Sequence, residues 1–171
     1  MAEPFTIYKM TILYMLDKVD FPLSNTQISN FFLEKDYTDY FRVQEVLSDL
    51  EDADLILAKT THSNTQYSLT PAGRKTLAFF KDKITEGISS DVASFFETNR
   101  LRMKTENSIV CDYYKTTGGK YAVRCQILSD NTAVIDLTLS VSTKEQAESI
   151  CANWKTQNHD VYAYLMDILM K

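Results

Sequence analysis

The stretch Gln66–Leu77, QYSLTPAGRKTL, limits what this chain can fold into more than any other. A β-like run reaches Thr70-Pro71 and a helical pattern starts at once. Threonine is a good N-cap, and proline suits the first helical position, where its missing N–H leaves nothing unpaired. Just upstream, Leu55 to Thr60 reads as a strand, Thr61-His62-Ser63-Asn64 as a polar turn and Thr65 to Leu69 as the return strand. A helix leads into that hairpin as well. Val43, Val46, Leu47 and Leu50 recur at i, i+3, i+4 and i+7, the spacing of an amphipathic helix that starts at Thr38 or Tyr37. Its outer face carries Phe41, Glu45, Ser48 and Asp52. The chain must therefore place one hairpin between two helices.

Two more helices come earlier. Residues 5–18 put Ile7, Ile12, Leu13, Met15 and Leu16 in one apolar stripe, and Phe21-Pro22 ends it. Next, Ser24 and Gln27 have the spacing of a capping box, and Leu23 with Ile28 that of a hydrophobic staple. Those signals predict a helix over 25–34. After the hairpin, Leu77, Phe80 and Ile84 keep helical spacing. A further helix over about 84–104 carries Ile88, Val92, Phe95 and Phe96.

The pattern changes after Asn107. Residues 108–115, 120–128 and 132–141 alternate with period two, which predicts an antiparallel three-stranded meander with one wet face. A three-residue turn at Thr117-Gly118-Gly119 pairs Cys111 with Cys125 and Tyr113 with Val123, keeping the apolar residues together. A second three-residue turn, Ser129-Asp130-Asn131, pairs Arg124 with Asp136. Ser142 or Thr143 then caps a helix bearing Ala147, Ile150, Cys151 and Trp154, and a last helix follows over about 158–170.

The class is α+β in two parts. Residues 1–83 form an N-terminal winged helix-turn-helix, 84–106 a connecting helix, and 107–171 a C-terminal three-stranded antiparallel sheet covered by helices. The order helix, capped helix, amphipathic helix, hairpin, helix carries the first assignment. SLTPAGRKTL and VLSDLEDADLI resemble the wing exit and the recognition helix of PadR-like and MarR-like regulators. With its β-β-β-α-α tail, the whole chain resembles domain of unknown function 4364, a bacterial PadR-like family. That resemblance implies a cytoplasmic transcriptional regulator that binds double-stranded DNA as a homodimer, with an effector of unspecified chemistry and no cofactor.

A recognition helix enters the major groove by its N-terminal end, so Thr38, Phe41, Arg42 and Glu45 are candidate DNA contacts. Ser24, Asn25 and Thr26 offer a helix N-terminus to a phosphate. Lys59, His62 and Asn64, on the hairpin that forms the wing, are candidate contacts to the DNA backbone or minor groove. Charge pulls the other way. The net charge is −5, with 9 basic against 12 acidic residues in 1–83 and 9 against 11 in 84–171. Neither half is a basic footprint for phosphates. The alternative is an adaptor whose winged helix binds protein.

Enzyme motifs are missing: there is no Gly-rich phosphate loop, GxSxG or HExxH. The 2 His are isolated and the 3 Cys lack CxxC spacing, which opposes a zinc site and suits reduced thiols. Cys111 and Cys125 read as small core residues or as a sensor disulfide. Tyr113, Tyr114, Tyr121, Tyr162 and Tyr164 read as core aromatics or as the lining of a small-molecule pocket. The apolar runs are too short for a transmembrane helix, and MAEPFTIYKM has no signal-peptide pattern.

Overall fold

A computed structural model describes residues 4–61, 64–130 and 132–171. Those residues form six α-helices and two antiparallel sheets, in two compact units, Met1–Met103 and Lys104–Lys171.

In the first unit α1 (Pro4–Asp17) is followed by β1 (Leu23–Ser24), α2 (Asn25–Glu34), α3 (Tyr40–Asp52), β2 (Ile56–Thr60), β3 (Thr65–Leu69) and α4 (Pro71–Phe79). A single 3₁₀ turn, Lys81–Lys83, precedes α5 (Glu86–Ser108). Local chemistry explains the helix ends. The Ser24 hydroxyl accepts from the Gln27 N–H at 3.1 Å, and the Gln27 side chain accepts from the Ser24 N–H at 2.9 Å. Helix α2 stops in a Schellman motif: the Tyr37 N–H donates to Phe32 O at 3.0 Å and the Asp36 N–H to Leu33 O, with Asp36 at φ 56°. Helix α3 repeats it, with Leu55 N–H to Leu50 O, Asp54 N–H to Glu51 O and Asp54 at φ 58°. Thr70 caps α4, its hydroxyl accepting from the Gly73 N–H at 2.9 Å.

The sheet of this unit has three strands in the order β1-β3-β2, where the sequence predicted a hairpin alone. Leu23 pairs with Tyr67 and Ser24 with Gln66. Two residues carry no readable alternation, so their strand is set by a distant partner. The core holds Ile12, Leu13, Leu23, Ile28, Val46 and Leu50, all buried. Phe31 sits among Phe32, Tyr37 and Phe95 with ring centroids 5.3, 5.6 and 5.4 Å away. Burying such a ring contributes about 1.5–3 kcal/mol. The segment read as a separate connector is anchored here: Ile88, Val92, Phe95, Phe96 and Met103 of α5 belong to the same core. The Tyr37 hydroxyl donates to Asp91 Oδ2 at 2.6 Å. Burial, then that bond, pushes its pKa from 10.0 up to about 12. The folded value is the higher one, so the stabilisation is complete below pH 10.0 and is lost as pH rises through about 12.

The second unit is β4 (Ile109–Lys115), β5 (Tyr121–Ser129), β6 (Thr132–Val141) and α6 (Lys144–Leu169). The meander order is β4-β5-β6. Cys111 pairs with Cys125 and Tyr113 with Val123, as the three-residue turn requires, and Gly119 takes φ 80° there. The second turn differs from expectation. Ser129 pairs with Thr132, so the turn is one residue shorter than expected, and the register shifts at Ile127/Leu128. Asn131 itself lies outside the described residues. Arg124 therefore faces Thr138 rather than Asp136. The two C-terminal helices expected are one helix of 26 residues. No Gly or Pro interrupts residues 144–169, so nothing stops it. The Thr143 hydroxyl accepts from the Gln146 N–H at its start. Ala147, Cys151 and Trp154 bury one stripe against Val123 and Cys125 of the sheet.

Candidate functional site

The outward end of α3 is the first candidate. Asp39 is its N-cap, accepting from the Arg42 N–H at 2.9 Å, so the helix begins later than Thr38. Thr38 is half-buried, and Phe41, Arg42 and Glu45 are exposed. Phe41 is 81% exposed, against a core of rings that are nearly all covered, and its ring meets Tyr40 edge-on at 5.8 Å. The Arg42 guanidinium lies over the Phe5 ring at 5.1 Å, a cation–π contact that holds it near α1.

The α2 start is less available than its sequence implied. Ser24 is buried and its hydroxyl is spent on the cap. Asn25 turns inward: its Nδ2 donates to Gln44 Oε1 at 2.6 Å and its Oδ1 accepts from Gln44 Nε2 at 2.8 Å. That reciprocal amide pair fixes α2 to α3. Thr26 alone of the three is exposed. On the hairpin Lys59 and Asn64 are exposed, while His62 lies outside the described residues. The surface charge nearby is mixed, since Lys9 pairs with Asp49 at 3.3 Å and Arg74 with Asp17 at 3.4 Å.

The second unit gathers three thiols, one more than the strand register alone predicts. Cys111 Sγ is 3.4 Å from Cys125 Sγ and 2.7 Å from Cys151 Sγ, and all three cysteines are free. Cys151 was hidden because it comes from a helix, not a strand partner. Hydrogen bonding to Cys125, burial and the Cys151 contact push the Cys111 thiol far up, while burial raises Cys151. Cys125 receives the Cys111 hydrogen bond and is drawn down, yet it is 1% exposed. Iodoacetamide at neutral pH is expected to modify these thiols roughly a hundredfold more slowly than free cysteine, because the thiolate is the nucleophile, Cys111 and Cys151 are held as thiols and Cys125 is buried. Mass spectrometry after timed quenching reads this; alkylation at the free-cysteine rate would contradict the packing. Among the described residues, no group of three or more His, Cys, Asp or Glu is disposed to hold a metal ion.

On the wet face of the sheet, Arg124 reaches diagonally to Asp136 with Nε–Oδ1 3.0 Å and Nη2–Oδ2 2.7 Å. The pair is bidentate in spite of the shifted register. It holds Asp136 below the usual carboxylate range and raises Arg124. Both are solvent-exposed enough that the pair contributes little to stability. The tyrosines scatter: Tyr113 and Tyr121 meet edge-on at 6.2 Å, Tyr113 reaches Glu148 at 3.1 Å, and Tyr114 and Tyr164 face solvent.

Among the described residues no helix is long and apolar enough to cross a membrane. No curated protein and no solved structure matches the chain. A family model does match, from residue 8 to residue 169, and on that near full-length match the chain belongs to the family described as a domain of unknown function, DUF4364.

Proposed function

We propose that the first unit is a PadR-like winged helix and that the protein is a transcriptional regulator binding double-stranded DNA as a homodimer. The observation that carries this reading is the placement of α3. It exposes Phe41, Arg42 and Glu45 near its N-terminal end and runs through the Asp54 turn straight into the hairpin that bears Lys59 and Asn64. Helix end and hairpin are the two parts such a module sets against a major groove and the adjoining backbone. Strand β1, inserted between α1 and α2 and paired with β3, supports the same layout. Arg42 is the residue best suited to read guanine or grip a phosphate.

The test is capture of genomic fragments at low salt, followed by titration of the bound site. Arg42→Ala is expected to weaken binding by about tenfold, the loss of one good base or phosphate contact. Affinity should fall steeply as salt rises. Absence of any fragment binding at low salt would sink the reading. One observation favours a second reading, an adaptor that binds protein: the exposed Tyr40–Phe41 pair has acidic neighbours Asp39 and Glu45. Aromatic anchors are typical of protein interfaces. In that case Phe41→Ala abolishes partner binding and salt has little effect.

A further inference from the structure

Helix α6 does not cover the sheet evenly. Its side-chain contacts run to β4, through Cys111–Cys151 and Tyr113–Glu148, and to β5, through the Trp154 Nε1–H donating to Gln126 O at 3.2 Å. The dry face of β6 is left partly open beside it. A groove of about 460 Å³ results. Leu137, Leu139 and Val141 floor it, two residues apart on one side of β6, and Ile150, Trp154 and Val161 wall it from α6. Leu139 is 45% exposed although it points to the face that the helix is meant to cover. The rim is polar but neutral, with Ser149, Asn153 and Gln157 at helical spacing. Among the described residues, no Asp, Glu, Lys or Arg lines the groove.

We propose that this groove binds an uncharged, largely apolar small molecule carrying one or two amide- or hydroxyl-type groups. Three features fix that class. The volume falls within the roughly 300–1,000 Å³ of small-molecule sites, which are mostly apolar with a few placed polar groups. The lining has no charge to offset a ligand's charge, so an ion would lose its hydration without compensation. Trp154 is only 4% exposed and its N–H is already spent on Gln126, so it gives the groove an apolar edge and no donor. The inference stands apart from the DNA reading and is tested without DNA.

Trp154 is the one tryptophan in the chain, so the groove carries its own reporter. The probe is N-phenyl-1-naphthylamine, uncharged and brighter in apolar surroundings. Excited through Trp154, the full-length protein is expected to show saturable probe emission at one site per chain. The 8-sulfonate of the same ring system should bind at least about tenfold more weakly. Leu139→Glu, which sets a charge on the floor, and Ser149→Arg, which lays a long charged side chain across the rim, should each weaken the uncharged probe by about tenfold or more. Both replace exposed residues, and circular dichroism checks that they fold. Val134→Glu, exposed on the opposite face of β6, should leave binding unchanged. Failure of the probe to saturate overturns the proposal, as does binding to Leu139→Glu and Ser149→Arg equal to that of the unaltered protein. Equal affinity for the sulfonate overturns the uncharged class. A groove closed to the probe in a dimer that Leu139→Glu splits would make it a contact between copies, and would also overturn it.

Discussion

Gly73→Ala is expected to cost the first unit about 3 kcal/mol, the upper range for overpacking. Helix propensity argues the reverse, since alanine inside a helix is worth about 1 kcal/mol over glycine. Packing decides the sign. A Cβ on Gly73 would overlap the Leu55 carbonyl oxygen and lie 2.8 Å from Leu69 Cδ1. That carbonyl cannot step aside, because it accepts from the Thr70 N–H at 3.2 Å while the Thr70 hydroxyl donates to Asp54 O at 2.7 Å. Relief therefore requires moving α4 away from the hairpin. Gly87 is the control: a Cβ there meets only Thr85 Oγ1 at 3.8 Å, so Gly87→Ala should be neutral or mildly stabilising. Urea titration of both variants gives the comparison. An unchanged midpoint for Gly73→Ala would mean that α4 and the hairpin do not approach this closely.

Trp154→Ala is expected to cost the second unit about 4 kcal/mol, the usual loss for a buried aromatic. The buried part of this core is Val123, Cys125, Ala147, Cys151 and Trp154, and the indole is its largest member. With so few partners to collapse into the space, most of the stability of a small unit goes with it. Amide hydrogen exchange should show lost protection in β4, β5 and β6, with α1 to α3 still protected. Trp154→Phe keeps an aromatic ring but removes the N–H that donates to Gln126 O, and should cost about 1–2 kcal/mol. Protection of the sheet in Trp154→Ala equal to wild type would contradict this account of the core.

Local chemistry was the readable part of the fold. Three N-caps, at Ser24, Thr70 and Thr143, form the side-chain bonds their sequences imply. Each needs only residues within one turn of the helix. The Cys111–Cys125 register was readable too, because a one-residue slip would have put Asp112 on the dry face. Features set by distant residues were not. Arg124 meets Asp136 diagonally because of a register shift at Ile127/Leu128 that no residue there announces. Cys151 joins the thiols from a helix packed across the sheet. The candidate surface divides in the same way. Exposure of Phe41 and Arg42 follows from helical spacing, whereas the inward turn of Asn25 depends on Gln44, a residue of another helix.

Strand β1 sets the order in which the first unit closes. Leu23 and Ser24 pair with residues on the far side of α2, α3 and most of the hairpin. Loop closure over such a span is entropically opposed until the intervening helices have docked and shortened it. The meander of the second unit pairs each strand with its neighbour in sequence and meets no such barrier. Of the two sheets, the first is therefore expected to be completed late, by its shortest strand. Until that happens β3 keeps an open edge and Leu23, fully buried in the native state, stays in water. A folding chain of this kind is most exposed to wrong pairing at a ladder two residues long.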